Sequence, residues 1–333
     1  MIASGFIDFM EAEFSFQSHL FILTSKNPEI IKKRTNIIDR INFKNFFRVY
    51  KELKKAKKII IHGFFSPPVI LFLYAFRNIL KKSYWVIWGG DLYVYRQRKR
   101  SWKRRILEYF RRPVIKKMPF LVTYIKGDYE LAKKWYGAEG EYLHCIMYPS
   151  NLFKEPPVSL QKTDTKTHIL VGNSADPSNE HIEIFNKILP FKEADIVIYA
   201  PLVYGNKTYA NTIIKKGQEL FGDKFIPITN ALSSEKYTDF LSKMDIAIFA
   251  HRRQQAMGNT VTLLGLGKKV YLRQDVSSWE VLESLNVKTF DFNGKINMGL
   301  LSKSTALQNK MMIKNSFSKD ILYTQLNKIF QKK

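Results

Sequence analysis

Two residues in the first third of the chain are suited to general acid–base chemistry, and each sits in a turn that carries glycine. His62 lies in Ile61-His62-Gly63-Phe64-Phe65-Ser66-Pro67, and Asp91 in Trp88-Gly89-Gly90-Asp91-Leu92-Tyr93. An imidazole or carboxylate there can take a proton from a hydroxyl, while Gly63, Gly89 and Gly90 let a bulky substrate approach the backbone. Either residue alone is equally at home as a cap or turn residue. The catalytic reading rests on the pair, because both turns follow predicted strands and would share one sheet edge.

Two stretches in the second half carry residues that hold phosphate. In His168-Ile-Leu-Val-Gly172-Asn173-Ser174-Ala-Asp176-Pro177-Ser178-Asn179-Glu180-His181 a strand runs into a Gly-Asn turn, and Ser178 is placed to cap a helix with apolar residues Ile182, Phe185, Ile188 and Leu189. The amides of Gly172, Asn173 and Ser174 can cradle an anion at the carboxyl end of that strand. Glu180 in the first turn counts against this, since it answers the helix dipole itself. A purely structural turn is the alternative. The second stretch, Ile248-Phe249-Ala250-His251-Arg252-Arg253-Gln254-Gln255-Ala-Met-Gly258-Asn259-Thr260, is the better diphosphate candidate. Arg253 can pair with the diphosphate, Gly258 permits close approach, and Asn259 with Thr260 offers free amides at the start of a helix that ends before Gly267. A surface loop with two solvated arginines is the rival account.

The elements that must position these residues alternate strand and helix, which predicts an α/β class with parallel sheets. Strands are expected at Leu20–Thr24, Lys58–His62, Tyr84–Trp88 and Phe120–Ile125, with helices at Pro67–Leu80 and Asp128–Tyr136. After a polar, Pro-bearing stretch at Pro149–Lys166 a second series follows: His168–Val171, Ile196–Tyr199, Phe225–Pro227, Ile246–Ala250 and Lys269–Leu272. Two tandem α/β domains, 1–155 and 156–333, account for the order.

Composition narrows the partners. Of 333 residues 45% are hydrophobic and 28 are Gly or Pro, which excludes disordered and collagen-like chains. The net charge of +25 calls for an anionic partner or surface. Residues 1–155 hold 30 Lys or Arg against 13 acids, so the first domain faces that anion. Arg96–Lys117 concentrates it, with 11 basic residues, including Arg98, Lys99, Arg100, Lys103, Arg104 and Arg105, against Glu108 alone. Trp102, Ile106, Leu107, Tyr109 and Phe110 are interleaved, the make-up of a basic amphipathic helix on an anionic bilayer. An ordinary solvated helix face is the alternative. No nucleic-acid module accompanies the patch, so no nucleic-acid partner is expected. One cysteine, Cys145, excludes an intrachain disulfide and a zinc cluster, and favours the cytosol. The acidic start, Asp8, Glu11 and Glu13, is unlike a signal peptide, and the apolar run Ile59–Leu80 is interrupted by His62, Gly63, Ser66, Pro67, Pro68 and Arg77.

Missing motifs discriminate as well. The chain has no Asp-x-Asp pair, no Walker motif and no Gly-x-Gly-x-x-Gly fingerprint. Metal-dependent sugar transfer, P-loop hydrolysis and dinucleotide redox chemistry lose ground; an enzyme that holds a diphosphate leaving group on amides and arginines remains.

Four strings in order carry a resemblance: His62-Gly-Phe-Phe-Ser-Pro67, Trp88-Gly-Gly-Asp91-Leu-Tyr93, Leu170-Val-Gly-Asn-Ser174 with Ser178-Asn-Glu-His-Ile182, and Arg253-Gln254-Gln255-Ala-Met-Gly258. Together they resemble glycosyltransferase family 56, the TDP-N-acetylfucosamine:lipid II N-acetylfucosaminyltransferases, over about residues 15–285. The resemblance implies a GT-B fold, in which two Rossmann-like domains face across a cleft. The acceptor would bind the N-terminal domain and the nucleotide sugar mainly the C-terminal one. It also implies cofactor-free, metal-independent transfer from a TDP-sugar to an undecaprenyl-diphosphate-linked saccharide at the cytoplasmic face of the inner membrane. The donor residues would be Gly172, Asn173, Ser174, Arg253, Gln254, Gln255, Gly258, Asn259 and Thr260, with Asp91 as base and His62 as second choice. Acceptor and membrane contacts would come from Gly63, Gly89, Gly90, Arg98, Lys99, Arg100, Trp102, Lys103, Arg104 and Arg105. Family members carry a β-strand ahead of the segment corresponding to Gly5–Phe16 and allow alanine at position 90. Rival readings are a nucleotide-sugar epimerase of the same fold and a non-enzymatic basic binder.

Overall fold

A computed structural model describes residues 2–23, 37–38, 45–96, 101–155 and 164–332. The chain divides into two compact units, one of residues 1–150 with 319–333 and one of residues 151–318. The boundary thus falls five residues before the expected one, and the last helix belongs to the first unit rather than the second.

The first unit opens with α1 (Ile2–Glu13) and two short parallel strands, β1 (Phe21–Ile22) and β2 (Ile37–Ile38). Then follow α2 (Phe46–Lys55), β3 (Ile59–His62), α3 (Pro67–Ala75), α4 (Arg77–Leu80), β4 (Ser83–Val86), α5 (Trp102–Lys116), β5 (Phe120–Val122), α6 (Lys126–Tyr136) and β6 (Glu141–Leu143). Strands β3-β4-β5-β6 lie in that order, all parallel. Every residue of β4 is buried, as expected for a strand covered on both faces. The single helix expected over 67–80 breaks at Phe76, whose φ and ψ of −106° and 76° leave the helical region. Strand β4 ends two residues before Trp88, so that indole lies in the turn beyond the sheet. Of the strand expected at Leu20–Thr24 only Phe21–Ile22 forms, and Thr24 lies outside the described residues.

In the second unit come β7 (Thr167–Val171), α7 (His181–Ile188), β8 (Ile196–Pro201), α8 (Lys207–Phe221), β9 (Phe225–Ile228), α9 (Ser234–Ser242), β10 (Ile246–Phe249), α10 (Met257–Gly265), β11 (Lys269–Leu272), α11 (Ser277–Ser284), β12 (Phe290–Asp291) and α12 (Lys303–Ser316). The six strands are parallel in the order β12-β11-β10-β7-β8-β9, which puts the first strand of the unit at the centre. At that switch in strand order, the carboxyl ends of β7 and β10 lie side by side and their loops meet, the place where open α/β sheets bind ligands. Helix α10 stops as expected: Gly267 at φ +73° and two amide bonds, Lys268 to Leu263 and Gly267 to Leu264, form a Schellman cap. The last helix, α13 (Lys319–Gln331), returns to the first unit, where Tyr323 stacks on Phe14 and the Gln325 side chain accepts from the Ile146 amide.

Candidate functional site

In the first unit the two turns singled out by sequence meet. Asp91 is fully buried. Its Oδ2 accepts from the Phe64 amide at 2.8 Å and the Trp85 indole at 2.7 Å, and its Oδ1 from the amides of Trp88 and Leu92 at 3.0 Å each. Burial raises its pKa, against the pull of these donors and of Arg111. Four donors occupy both oxygens, so the carboxylate ties the two glycine turns together and presents no oxygen outward. That geometry is a turn organiser's rather than a general base's.

Arg111, buried in α5, fastens the same turns from behind. It donates to the Phe64 carbonyl, to the Tyr136 hydroxyl and to Glu108, and also reaches the Asp91 carbonyl. Gly63 and Gly89 take φ values of +73° and +77°, which glycine adopts without steric cost. A Cβ on Gly90 would meet the Phe65 ring at 3.5 Å, an ordinary contact, so alanine fits there. His62 is half-buried; its Nδ1 lies 2.6 Å from the hydroxyl of Tyr148, which in turn accepts from the Trp88 indole at 2.5 Å. Burial pulls the His62 pKa down to about 4, so the ring is neutral near pH 7.

In the second unit the Gly172–Ser174 turn is less open than its sequence suggests. The Gly172 amide bonds the Ile248 carbonyl and the Asn173 amide bonds Asn179 Oδ1, which leaves only that of Ser174 of the three expected to cradle an anion. Asn179 is the hub that sequence reasoning missed. Its Oδ1 accepts from Asn173 N and His251 Nε2, both at 2.8 Å, and its Nδ2 donates to Ser174 Oγ and the Asp176 carbonyl. The β7 and β10 loops are thereby locked to each other. A second bridge runs from Ser178 Oγ to Gln255 Oε1 and from Gln255 Nε2 to Asn173 Oδ1. Gly172, at φ +64°, is required because a Cβ would stand 2.7 Å from His181 Nε2 and 2.8 Å from Asn179 Oδ1. Asn179 and His251 lie within the two phosphate-candidate stretches, but a bond across 72 residues has no local signal.

Ser178 does not cap α7. It sits in a short turn capped by Asp176, and Glu180 occupies the cap position at φ +54°. Nor does Glu180 face an anion site, because it pairs with Arg252 at 3.0 Å, and Arg252 also meets Glu183. Ile182, expected in the core, is exposed, and Ile184 takes the buried place beside Phe185 and Ile188. Arg252 is thus committed, whereas among the described residues Arg253 makes one weak hydrogen bond, to the Gln254 carbonyl at 3.3 Å, and interacts electrostatically with Asp176. Helix α10 follows from Met257, and the residue at its cap position, Ala256, is in the left-handed region and supplies no side-chain cap. The first-turn amides of Met257, Gly258 and Asn259 therefore meet no capping group among the described residues, whereas that of Thr260, expected free, bonds the Ala256 carbonyl at 2.9 Å. Thr260 Oγ1, within that first turn and a half, is buried with no hydrogen-bond partner among the described residues, while Asn259 Nδ2 donates to the Tyr237 hydroxyl at 2.8 Å. The uncapped start of this nine-residue helix, a few residues after Arg253 in the chain, is suited to an oxyanion of high charge.

Helix α5 splits the basic stretch by face. Leu107 and Phe110 pack inward, Glu108 and Arg111 pair within the interior, and Trp102, Ile106 and Tyr109 point outward, 68%, 51% and 70% exposed. Lys103, Arg104 and Arg105 are exposed around them, with Lys103 Nζ over the Trp102 ring. Arg98, Lys99 and Arg100 lie outside the described residues. No helix among the described residues is long and apolar enough to cross a membrane.

A family model described as 4-alpha-L-fucosyltransferase, glycosyl transferase group 56, matches residues 6–314. The chain belongs to this family. Group 56 membership makes it a glycosyltransferase, with a nucleotide-sugar donor and a glycan acceptor. Among solved structures, a glycosyltransferase from Rickettsia africae ESF-5 is similar at a TM-score of 0.67 and 13% identity, over 98% of this chain and 93% of that one. WaaG, a glycosyltransferase involved in lipopolysaccharide biosynthesis, is similar at 0.61 and 9%, over 99% and 95%. A putative UDP-N-acetylglucosamine 2-epimerase from Listeria monocytogenes is similar at 0.52 and 13%, over 99% and 93%. At such identities the likeness shows the fold, which is GT-B. Transferases and an epimerase share it, so the group 56 match, and not the fold, decides for transfer.

Proposed function

We propose that this group 56 enzyme moves an N-acetylated amino-deoxy sugar of the N-acetylfucosamine type from a TDP-sugar to a saccharide on undecaprenyl diphosphate. The product would serve a cell-surface polysaccharide resembling enterobacterial common antigen, and the enzyme would work as a peripheral protein on the cytoplasmic face of the inner membrane. The observation that carries the donor half is the uncapped start of α10, a few residues after Arg253 in the chain. Negative charge grows on the diphosphate as the glycosidic bond breaks, and fixed amides with a guanidinium stabilise it more in the transition state than in the ground state. Gly258, Asn259 and Thr260 then form the floor of the diphosphate site, Arg253 its side, and Gln254 and Gln255 its rim. From the turn before it, Ser174 contributes the one amide that Gly172 and Asn173 do not, and these two hold the loop in shape. The acceptor half rests on the first unit, whose glycine turns at Gly63, Gly89 and Gly90 border His62, and whose outward α5 face suits an anionic bilayer.

The test is a donor screen with purified protein and polyprenyl-diphosphate-linked saccharide in anionic vesicles, followed by analysis of the lipid-extracted product. A TDP-linked N-acetylated amino-deoxy sugar is expected to transfer. Arg253→Ala is expected to lower kcat/KM about 100-fold, the scale of one lost oxyanion contact. Transfer from UDP-sugars only would overturn the donor assignment, and isomerised sugar formed without acceptor would point to epimerisation.

A further inference from the structure

We propose that His62 meets the substrate as a hydrogen-bond donor through Nε2–H, and that Tyr148 and Trp88 are positioning residues that fix the ring in that tautomer. The assignment follows from counting protons around one oxygen. Tyr148 Oη lies 2.5 Å from Trp88 Nε1 and 2.6 Å from His62 Nδ1. An indole nitrogen only donates, so Tyr148 accepts from Trp88. Among the described residues His62 Nδ1 is the only other partner of this hydroxyl, so the phenol's own proton is given to it, and burial, which raises the Tyr148 pKa well above its usual value, keeps that proton in place. With Nδ1 accepting, the single proton of the neutral imidazole sits on Nε2.

The surroundings favour a ring held for use. Phe6 packs against the imidazole with ring centroids 4.7 Å apart, and no protein group among the described residues bonds to Nε2. Tyr148 is delivered by a strained turn: Met147 takes φ +65°, and the Tyr148 amide bonds the Ile146 carbonyl two residues back at 2.8 Å, the pattern of a γ-turn. A non-glycine residue in that region costs free energy that the surrounding structure must offset, and such strain clusters at sites that place a functional group. Three strand ends converge here, since His62 closes β3, Trp88 follows β4 and Tyr148 follows β6.

The inference rests on the reading that this edge takes a substrate, and it reverses the expected role of His62. Neither His62, with its lone pair turned to Tyr148, nor Asp91, with both oxygens filled, takes the proton of the acceptor hydroxyl. His62 instead donates to a substrate oxygen, a sugar hydroxyl or a phosphate.

Nitrogen-15 NMR of histidine-labelled full-length protein at pH 7.5 reads the tautomer without any substrate. His62 is expected wholly as the Nε2–H form, and Tyr148→Phe to give a mixture of tautomers; Trp88→Phe, which leaves the phenol in place, is expected to do so to a lesser extent. An Nδ1–H form in the unmodified protein overturns the inference. In the transfer assay His62→Ala is expected to lose about 100-fold in kcat. His62→Gln, whose amide donates near the same place, is expected to recover to within about tenfold of the unmodified enzyme, and His62→Glu to recover nothing. Recovery by Glu and not by Gln overturns the donor role. Loss of all transfer by the unmodified enzyme would sink the proposed function alone, because the tautomer is read independently of it.

Discussion

At the scale of single residues, Asp91 shows how a side chain suited to catalysis becomes committed to structure. Its two oxygens accept four donors from two turns, and an asparagine there would turn an NH2 group toward one pair of them. Asp91→Asn is therefore expected to lower unfolding free energy by about 2–4 kcal/mol, read from the denaturant midpoint. A folded variant of normal midpoint that has lost transfer would restore Asp91 as the base. Residue type and glycine neighbours mark this pair of turns in the sequence, because the chain needs positive φ at Gly63 and Gly89. They did not reveal the role. Whether a carboxylate faces solvent or the Phe64 amide 27 residues away depends on how β3 and β4 pair, which one turn does not encode. Asn179 and His251 escaped notice for the same reason, as their bond joins two loops distant in sequence.

At the scale of elements, strands were the most legible feature, because fully buried parallel strands read as apolar runs closed by turn residues. Strand β11 matches its expected span at both ends, and β3 begins one residue late. Helix α5 was legible in composition and not in direction: the eleven cations of Arg96–Lys117, six of them in the helix, announced a charged face, but only packing separates inward Phe110 from outward Tyr109. The outward face makes a separate prediction. Trp102→Ala combined with Ile106→Ala and Tyr109→Ala is expected to weaken binding to anionic vesicles at least tenfold by removing apolar area from the interface. Lys103→Ala is expected to cost about fivefold, and less in high salt. Vesicle sedimentation reads both, and a triple variant that binds as tightly as the unmodified protein would remove this face as the membrane contact.

At the scale of the whole molecule, the net charge of +25 and the buried imidazoles act in the same direction on acidification. Burial holds the pKa of His181 at about 4 and that of His251 at about 3, below the 6.5 of an exposed imidazole, and both rings are almost wholly buried. Their folded pKa values lie below their unfolded ones. Between pH 6.5 and about 4 the unfolded chain therefore binds more protons than the folded one. Stability is fully present above pH 6.5 and falls as pH drops through that window, by at most about 1.4 kcal/mol per pH unit for each ring. Charge repulsion within an already basic chain adds to the loss, but salt screens repulsion and does not relieve the desolvation of a buried ring. The unfolding midpoint is expected to drop steadily from pH 6.5 to 4 and to keep most of that slope in high salt. His251→Gln, whose amide still donates to Asn179, is expected to reduce the slope by the share of one ring while leaving the lock between the β7 and β10 loops in place. A midpoint flat over this range, or a slope that salt abolishes, would mean that the imidazoles of His181 and His251 are not held neutral by burial.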